Sequence, residues 1–255
     1  VTGAGTTSIT GAVTANSAIS QTISISSSGD LTANAGNIGG AVTNAGDLIL
    51  TGGTLSKAVS GAGLTTITGN TTNSAGINQG VKVNSGITLT NNAALGSASG
   101  SVTNAGTINS SADNIKGTVS NTGSLNLSGG TLSKAVSGSG KTTISGNTTN
   151  SGGINQGVTV NSGVTLTNNA ALGSDSGTIT NSGTINTNAS NIKGTVANNN
   201  TLNLSGGTLS KAVSGAGTTN ITGAVTSNSA ISQAINVVAA GDLTINANNI
   251  GGAVT

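Results

Sequence analysis

The sequence predicts an all-β fold, a single-stranded parallel β-solenoid, on three observations. The chain repeats itself at long period, its apolar residues recur at spacings of two and four, and it holds nothing bulky enough to fill a wide core. Of 255 residues, 42 are Gly and 35 Asn, and Pro, Cys, Met, His, Phe, Tyr and Trp are all missing. The charges are seven Lys and five Asp, 5% of the chain, where ordinary domains run near a quarter charged. A conventional packed interior needs larger side chains than these. Low complexity of this kind also suggests disorder. Against it stand the strict schedule of Ile, Val and Leu and the absence of Pro.

The repeats come at more than one level. GTLSKAVSG stands at Gly53–Gly61, Gly130–Gly138 and Gly207–Gly215, a spacing of 77 each time. Residues 1–43 match 213–255 at 32 of 43 positions, an offset of 212 made of one 58-residue block and two of 77. The chain reads as one continuous array over 1–255. A 58-residue unit covers 3–60, 77-residue units cover 61–137 and 138–214, and 215–255 begins the next. The two block lengths differ by a single layer of chain, as in a stack of interchangeable layers that has lost one.

A Val or Ile followed by a Gly-containing corner and an Ile/Leu pair marks the elementary step. The anchors are Val1, Ile25, Val42, Val59, Val81, Val102, Val119, Val136, Val158, Ile179, Val196, Val213, Val237 and Val254. They predict about 13 coils of roughly 17–24 residues, averaging about 19.5, each coil resting on its neighbours alone. Around each anchor Ile or Leu recurs at even spacing, with Thr, Ser and Asn between, as in TLTN from Thr88 and NLSG from Asn126. Alternation of that kind is strand periodicity. Gly and Asn at the corners supply positive φ. Antiparallel hairpins favour Asn-Gly or Asp-Gly turns, and neither dipeptide occurs. Each short strand should therefore pair with its copy in the next coil, about 4.8 Å away. Asn and Thr then stack into ladders.

Candidate chemistry is sparse. Without His or Cys there is no imidazole base, thiolate or common zinc site. A net charge of +2 supplies no dense row of cations, and no aromatic is present for stacking, so nucleic acid is excluded as a partner. No stretch approaches the roughly 18 apolar residues of a membrane helix, so no membrane insertion is expected. Ala135–Thr142, AVSGSGKT, fits a relaxed phosphate-loop pattern, but TISGNTTNSGG after it is not helical. The sister copies at Ala58 and Ala212 lack Lys141. Lys57, Lys134 and Lys211 share one repeat position and read as solubilising rim charges four coils apart, about 19 Å. Asp30 and Asp242 are equivalents, while Asp113 is replaced by Ser190 in the next repeat. Five scattered Asp residues build no calcium site. Outward Thr rows raise ice binding, but the rows mix Thr with Asn and Ser. Sequons at Asn70, Asn109 and Asn147 are weak glycosylation signals in so Asn-rich a chain. No catalytic, cofactor-binding or metal residue is assigned, and the chain reads as a non-enzyme.

The runs VTNAGTINSS from Val102, VSNTGSLNLSGGTL from Val119 and ITNSGTINTN from Ile179 resemble the passenger repeats of bacterial autotransporter and filamentous haemagglutinin-like adhesins. That resemblance covers the whole chain. It implies a right-handed parallel β-helix, secreted to the cell surface or beyond and serving adhesion or matrix. Such passengers usually carry aromatics and more charge, and their repeats are less perfect. The near-identity at offsets of 77 and 212 predicts the structural shaft of an extracellular bacterial fibre. Further repeats or identical subunits stacked end to end would be its partners. Opening on Val1, with repeats running through both edges, the chain reads as an excerpt of a longer array. The alternative is a surface adhesin binding glycans or host surfaces through the longer coils, at NTTNSAG (Asn70) and NAALGSASGS (Asn92).

Overall fold

The computed structural model describes residues 1–246 and 250–255, and their regular structure is short β-strands with three single-turn 3-10 helices. Two compact units, Val1–Leu125 and Asn126–Thr255, are each a parallel β-solenoid with three strand rows per turn. In the first unit, row one stacks Thr7, Ile23, Val42, Val59, Ile77, Leu95 and Ile115 in register. Row two stacks Val13, Leu31, Leu48, Thr65, Val81, Val102 and Val119. Row three includes Gly53, Thr71, Leu89 and Ile108. In the second unit, row one stacks Val136, Ile154, Leu172 and Ile192, then Gly207, Val225 and Leu243. Row two runs Thr142, Val158, Ile179, Val196, Val213, Ile231, Ile250. Row three runs Gly130, Thr148, Leu166, Ile185, Leu202, Thr219, Ile235.

These registers confirm the parallel solenoid and the expected number of coils, and correct which anchors share a row. Row one climbs from Val42 through Val59, Ile77 and Leu95, so each layer of the stack takes about 18 residues. The chain completes about 14 turns. The rungs are Ile23 and Ile235, where the anchor pattern predicts Ile25 and Val237. Ile77 adds a rung between Val59 and Val81, and those two anchors stand in different rows.

The corner motif explains the misreading. In V-x-N-x-G the Val and Asn have the same parity, so both side chains point inward, and Asn44, Asn104 and Asn181 are all buried. Each Asn Oδ1 accepts the N–H of the Gly two residues on, at 3.1, 3.2 and 3.1 Å, an Asx turn closed from inside. Close approach favours Gly at that place, although Asn200 takes it in the copy V-A-N-N-N from Val196. A Cβ on Gly106 or Gly183 would lie 2.2 Å from a carbonyl of the preceding coil. Among the described residues no non-glycine has positive φ, so Asn bends the chain by hydrogen bonding and not through the left-handed region. The motif needs only an inward neighbour above and below, and all three edges of the coil provide that.

One consequence is a rotation of the sequence about its own axis. Val42 is in row one, and Val119, its copy one 77-residue block further on, is in row two after four complete turns have passed at Ile115. Val136 and Val213 show the same advance within the second unit. The 58-residue offset carries Thr7 in row one to Thr65 in row two, three turns and a third. Each block therefore moves its copy to the next face.

The interior alternates aliphatic rungs with polar ladders. Leu50, Ile67 and Val83 stack below Asn104 and Asn121, and Asn104 Nδ2 donates to Asn121 Oδ1 at 2.7 Å. Asn73 donates to Asn91 at 2.6 Å, and Asn91 donates to Ser110 at 2.9 Å. Gln79 and Gln156, where row-one and row-two strands run together, and Gln233, between rows two and three of the second unit, turn inward to donate to Thr65, Thr142 and Thr219 at 2.8, 2.7 and 2.6 Å. Buried amides persist in so narrow an interior because nearly every one finds a partner.

Candidate functional site

The phosphate-loop candidate lies inside a strand. Ser137, Lys141 and Thr142 belong to Val136–Ile144, which pairs in parallel with Ile154–Val160. Thr142 is buried and receives the Gln156 amide, and no helix follows. Such a strand provides no nest of backbone donors for phosphate.

Lys134 and Lys211 do not share an edge. In the second unit Lys134 occupies the corner between rows three and one, while Lys211 occupies the corner between rows one and two. The four-and-a-third-turn advance places them on different edges. Lys211 instead meets Asp175, which stands two turns earlier at the same corner, in the loop after Leu172. This hydrogen bond and the Lys211 charge lower the Asp175 pKa below its ordinary 3.8. The sign follows: the pair stabilises the fold above about pH 3.8 and loses that contribution as the pH falls below it. Asp175 is 90% exposed, so the contribution is small and screened by salt. NMR titration should find the Asp175 carboxyl acid-shifted, and Lys211→Gln should return it to the ordinary range while leaving the thermal midpoint nearly unchanged.

The sequons divide. Asn70 and Asn147 each accept the backbone N–H of the next coil, from Thr88 and Thr165, both at 2.9 Å. Of the longer segments, NTTNSAG holds an ordinary rung, Thr71–Asn73, with Asn73 buried. In NAALGSASGS, Leu95 is a buried row-one rung, and the residues after it make a tight loop in which Ser97 Oγ accepts from Gly100 N at 2.8 Å.

The site that sequence reasoning missed lies on row three of the second unit. Its outward residues stack as Thr131, Thr149, Thr167, Asn186, Asn203, Asn220 and Asn236. The four Asn amides are chained: Asn236 donates to Asn220 at 3.2 Å, Asn220 to Asn203 at 2.7 Å and Asn203 to Asn186 at 2.6 Å. They floor a groove of about 810 Å³ that follows the stacking direction, with Ser205, Thr222 and Val238 along one side. No charged residue lines it. The only signal in the sequence was the third letter of TINT, TLNL, TTNI and AINV, which forms a column only once the turn length is known.

Fold and groove together define a repetitive β-solenoid with a polar, almost uncharged coat. Compared with protein-family models, characterised proteins and solved structures, the chain matches none of them.

Proposed function

We propose that this chain is the structural repeat shaft of an extracellular bacterial fibre, extended end to end by further repeats or identical subunits. The observation that carries the reading is the hydrogen bonding of coil to coil within each unit, with all named strand pairs parallel. Pull along the stacking direction is borne by those bonds, and the aliphatic columns exclude water from them. The one-third advance per block distributes identical sequence over all three faces. That suits a shaft whose sides are alike better than a recognition surface confined to one. A coat with 5% charged residues resists nonspecific adhesion, and a chain without Met, Cys, Trp or Asn-Gly withstands oxidation and deamidation outside a cell.

The offset of 212, one 58-residue and two 77-residue blocks, amounts to twelve whole turns, so copies joined at that offset keep every face in register. Concatemers built with it should appear in electron cryo-microscopy as fibres with a layer spacing of about 4.8 Å and a repeat of about 58 Å. Their length should grow in proportion to copy number. Compact particles that do not lengthen would defeat the proposal.

A further inference from the structure

We propose that the amide-floored groove on row three of the second unit binds an extended, neutral polysaccharide strand, one sugar to each Asn rung. An Asn amide has two N–H donors and an oxygen with two lone pairs. In the chain from Asn236 to Asn186 the Nδ2 groups of Asn236, Asn220 and Asn203 each spend one donor on the coil before, and Asn186 only accepts. At least one N–H per rung is left over, and successive rungs lie about 4.8 Å apart, close to the length of one pyranose in a straight glycan. On the groove's flank the Thr222 hydroxyl donates to the Leu204 carbonyl and the Ser205 hydroxyl to the Thr187 carbonyl. Both hydroxyl oxygens thus face the groove as acceptors. A row of donors beside a row of acceptors complements sugar hydroxyls, which donate and accept at once.

The other polymers that run in grooves fit poorly. A peptide adds to a solenoid by strand pairing, and the backbone groups of these strands are already committed to coils above and below. Nucleic acids and acidic glycans need cations, and the lining has none. Flat aromatic ligands need an apolar floor, and Val238 is the groove's one aliphatic. Each rung grips weakly without an aromatic platform, so affinity must accumulate along the strand. The groove is independent of the shaft reading, because fibre formation does not require it to be filled.

The test uses the full chain with cello- and chito-oligosaccharides from disaccharide to hexasaccharide, followed by saturation-transfer NMR and calorimetry. Maltohexaose, which coils, and a heparin hexasaccharide serve as controls. Affinity should rise about tenfold or more from disaccharide to tetrasaccharide, level off, and be insensitive to salt. Asn203→Thr with Asn220→Thr should abolish it, and the fold is retained because Thr already fills this row at Thr131, Thr149 and Thr167. Thr167→Asn, which adds a rung beside Asn186, should move the plateau one sugar further. Several results overturn the assignment: no binding of either series, undiminished binding by the double variant, equal binding of maltohexaose, or salt-sensitive preference for heparin. Self-association that the double variant removes, with no sugar bound, would make the groove a contact between copies instead.

Discussion

Asn168→Ala should lower stability by about 3–6 kcal/mol, a large loss for removing one polar side chain from a chain with so many. Asn168 is 2% exposed and holds three partners. Its Nδ2 donates to the Ala170 carbonyl at 2.7 Å and to Thr187 Oγ1 at 2.9 Å, and its Oδ1 accepts from Asn150 Nδ2 at 2.6 Å. Truncation leaves those groups buried with fewer partners, at roughly 1–3 kcal/mol each, besides opening a cavity. Asn168→Leu separates the two causes. Leucine fills the space and hydrogen-bonds to nothing, so it should be nearly as damaging as alanine. Asn168→Ser should be milder, because a Ser hydroxyl can still accept from the Asn of the rung before it, as Ser110 Oγ accepts from Asn91 in the first unit. Asn168→Asp should be worst at neutral pH and relieved in acid, since burial favours the protonated carboxyl. Guanidinium denaturation midpoints measure all four. A leucine variant close to wild type would show that the ladder is filler.

How far the sequence revealed this fold depends on what a local pattern can encode. Parallel stacking was legible because GTLSKAVSG returns unchanged and because no hairpin dipeptide offers another pairing. The buried Asn was legible in principle: in VTN at Val42 and TLTN at Thr88 the Asn shares parity with the aliphatic residue two before it. Treating every polar letter as outward hid that. The turn length was not legible from the corner motif, because V-x-N-x-G closes whichever edge it reaches. An interval from Val81 to Val102 stays within one row, while that from Val59 to Val81 crosses rows. The Lys pairing at Lys211 and the outward Asn column both depend on that length, and so both escaped notice. Bulk composition carried the exclusions, since residues that are absent remain absent in every register.

The strongest consequence of so short a turn concerns deletions. Removing Val59–Gly76, one whole turn, joins Ala58 to Ile77 and seats Ile77 on Val42, Val81 on Leu48 and Leu89 on Gly53, each within its own row. The rungs already stack on neighbours of this type, so the shortened chain should keep its far-ultraviolet dichroism and melt within a few degrees of wild type. Removing only 68–76, half a turn, should abolish cooperative melting. The severed coil would have to close around half the perimeter of the coils beside it, leaving strands on both sides without partners. Each stranded buried donor or acceptor costs about 1–3 kcal/mol, and a missing half-coil strands many. Circular dichroism with thermal melting distinguishes the outcomes, and equal stability of the two variants would deny that the closed coil is the unit of folding. The sequence has already made the tolerated change: its 58- and 77-residue blocks differ by one coil, advancing three and a third turns against four and a third. Whole turns come and go while the third is kept, because the third brings each corner motif to an edge.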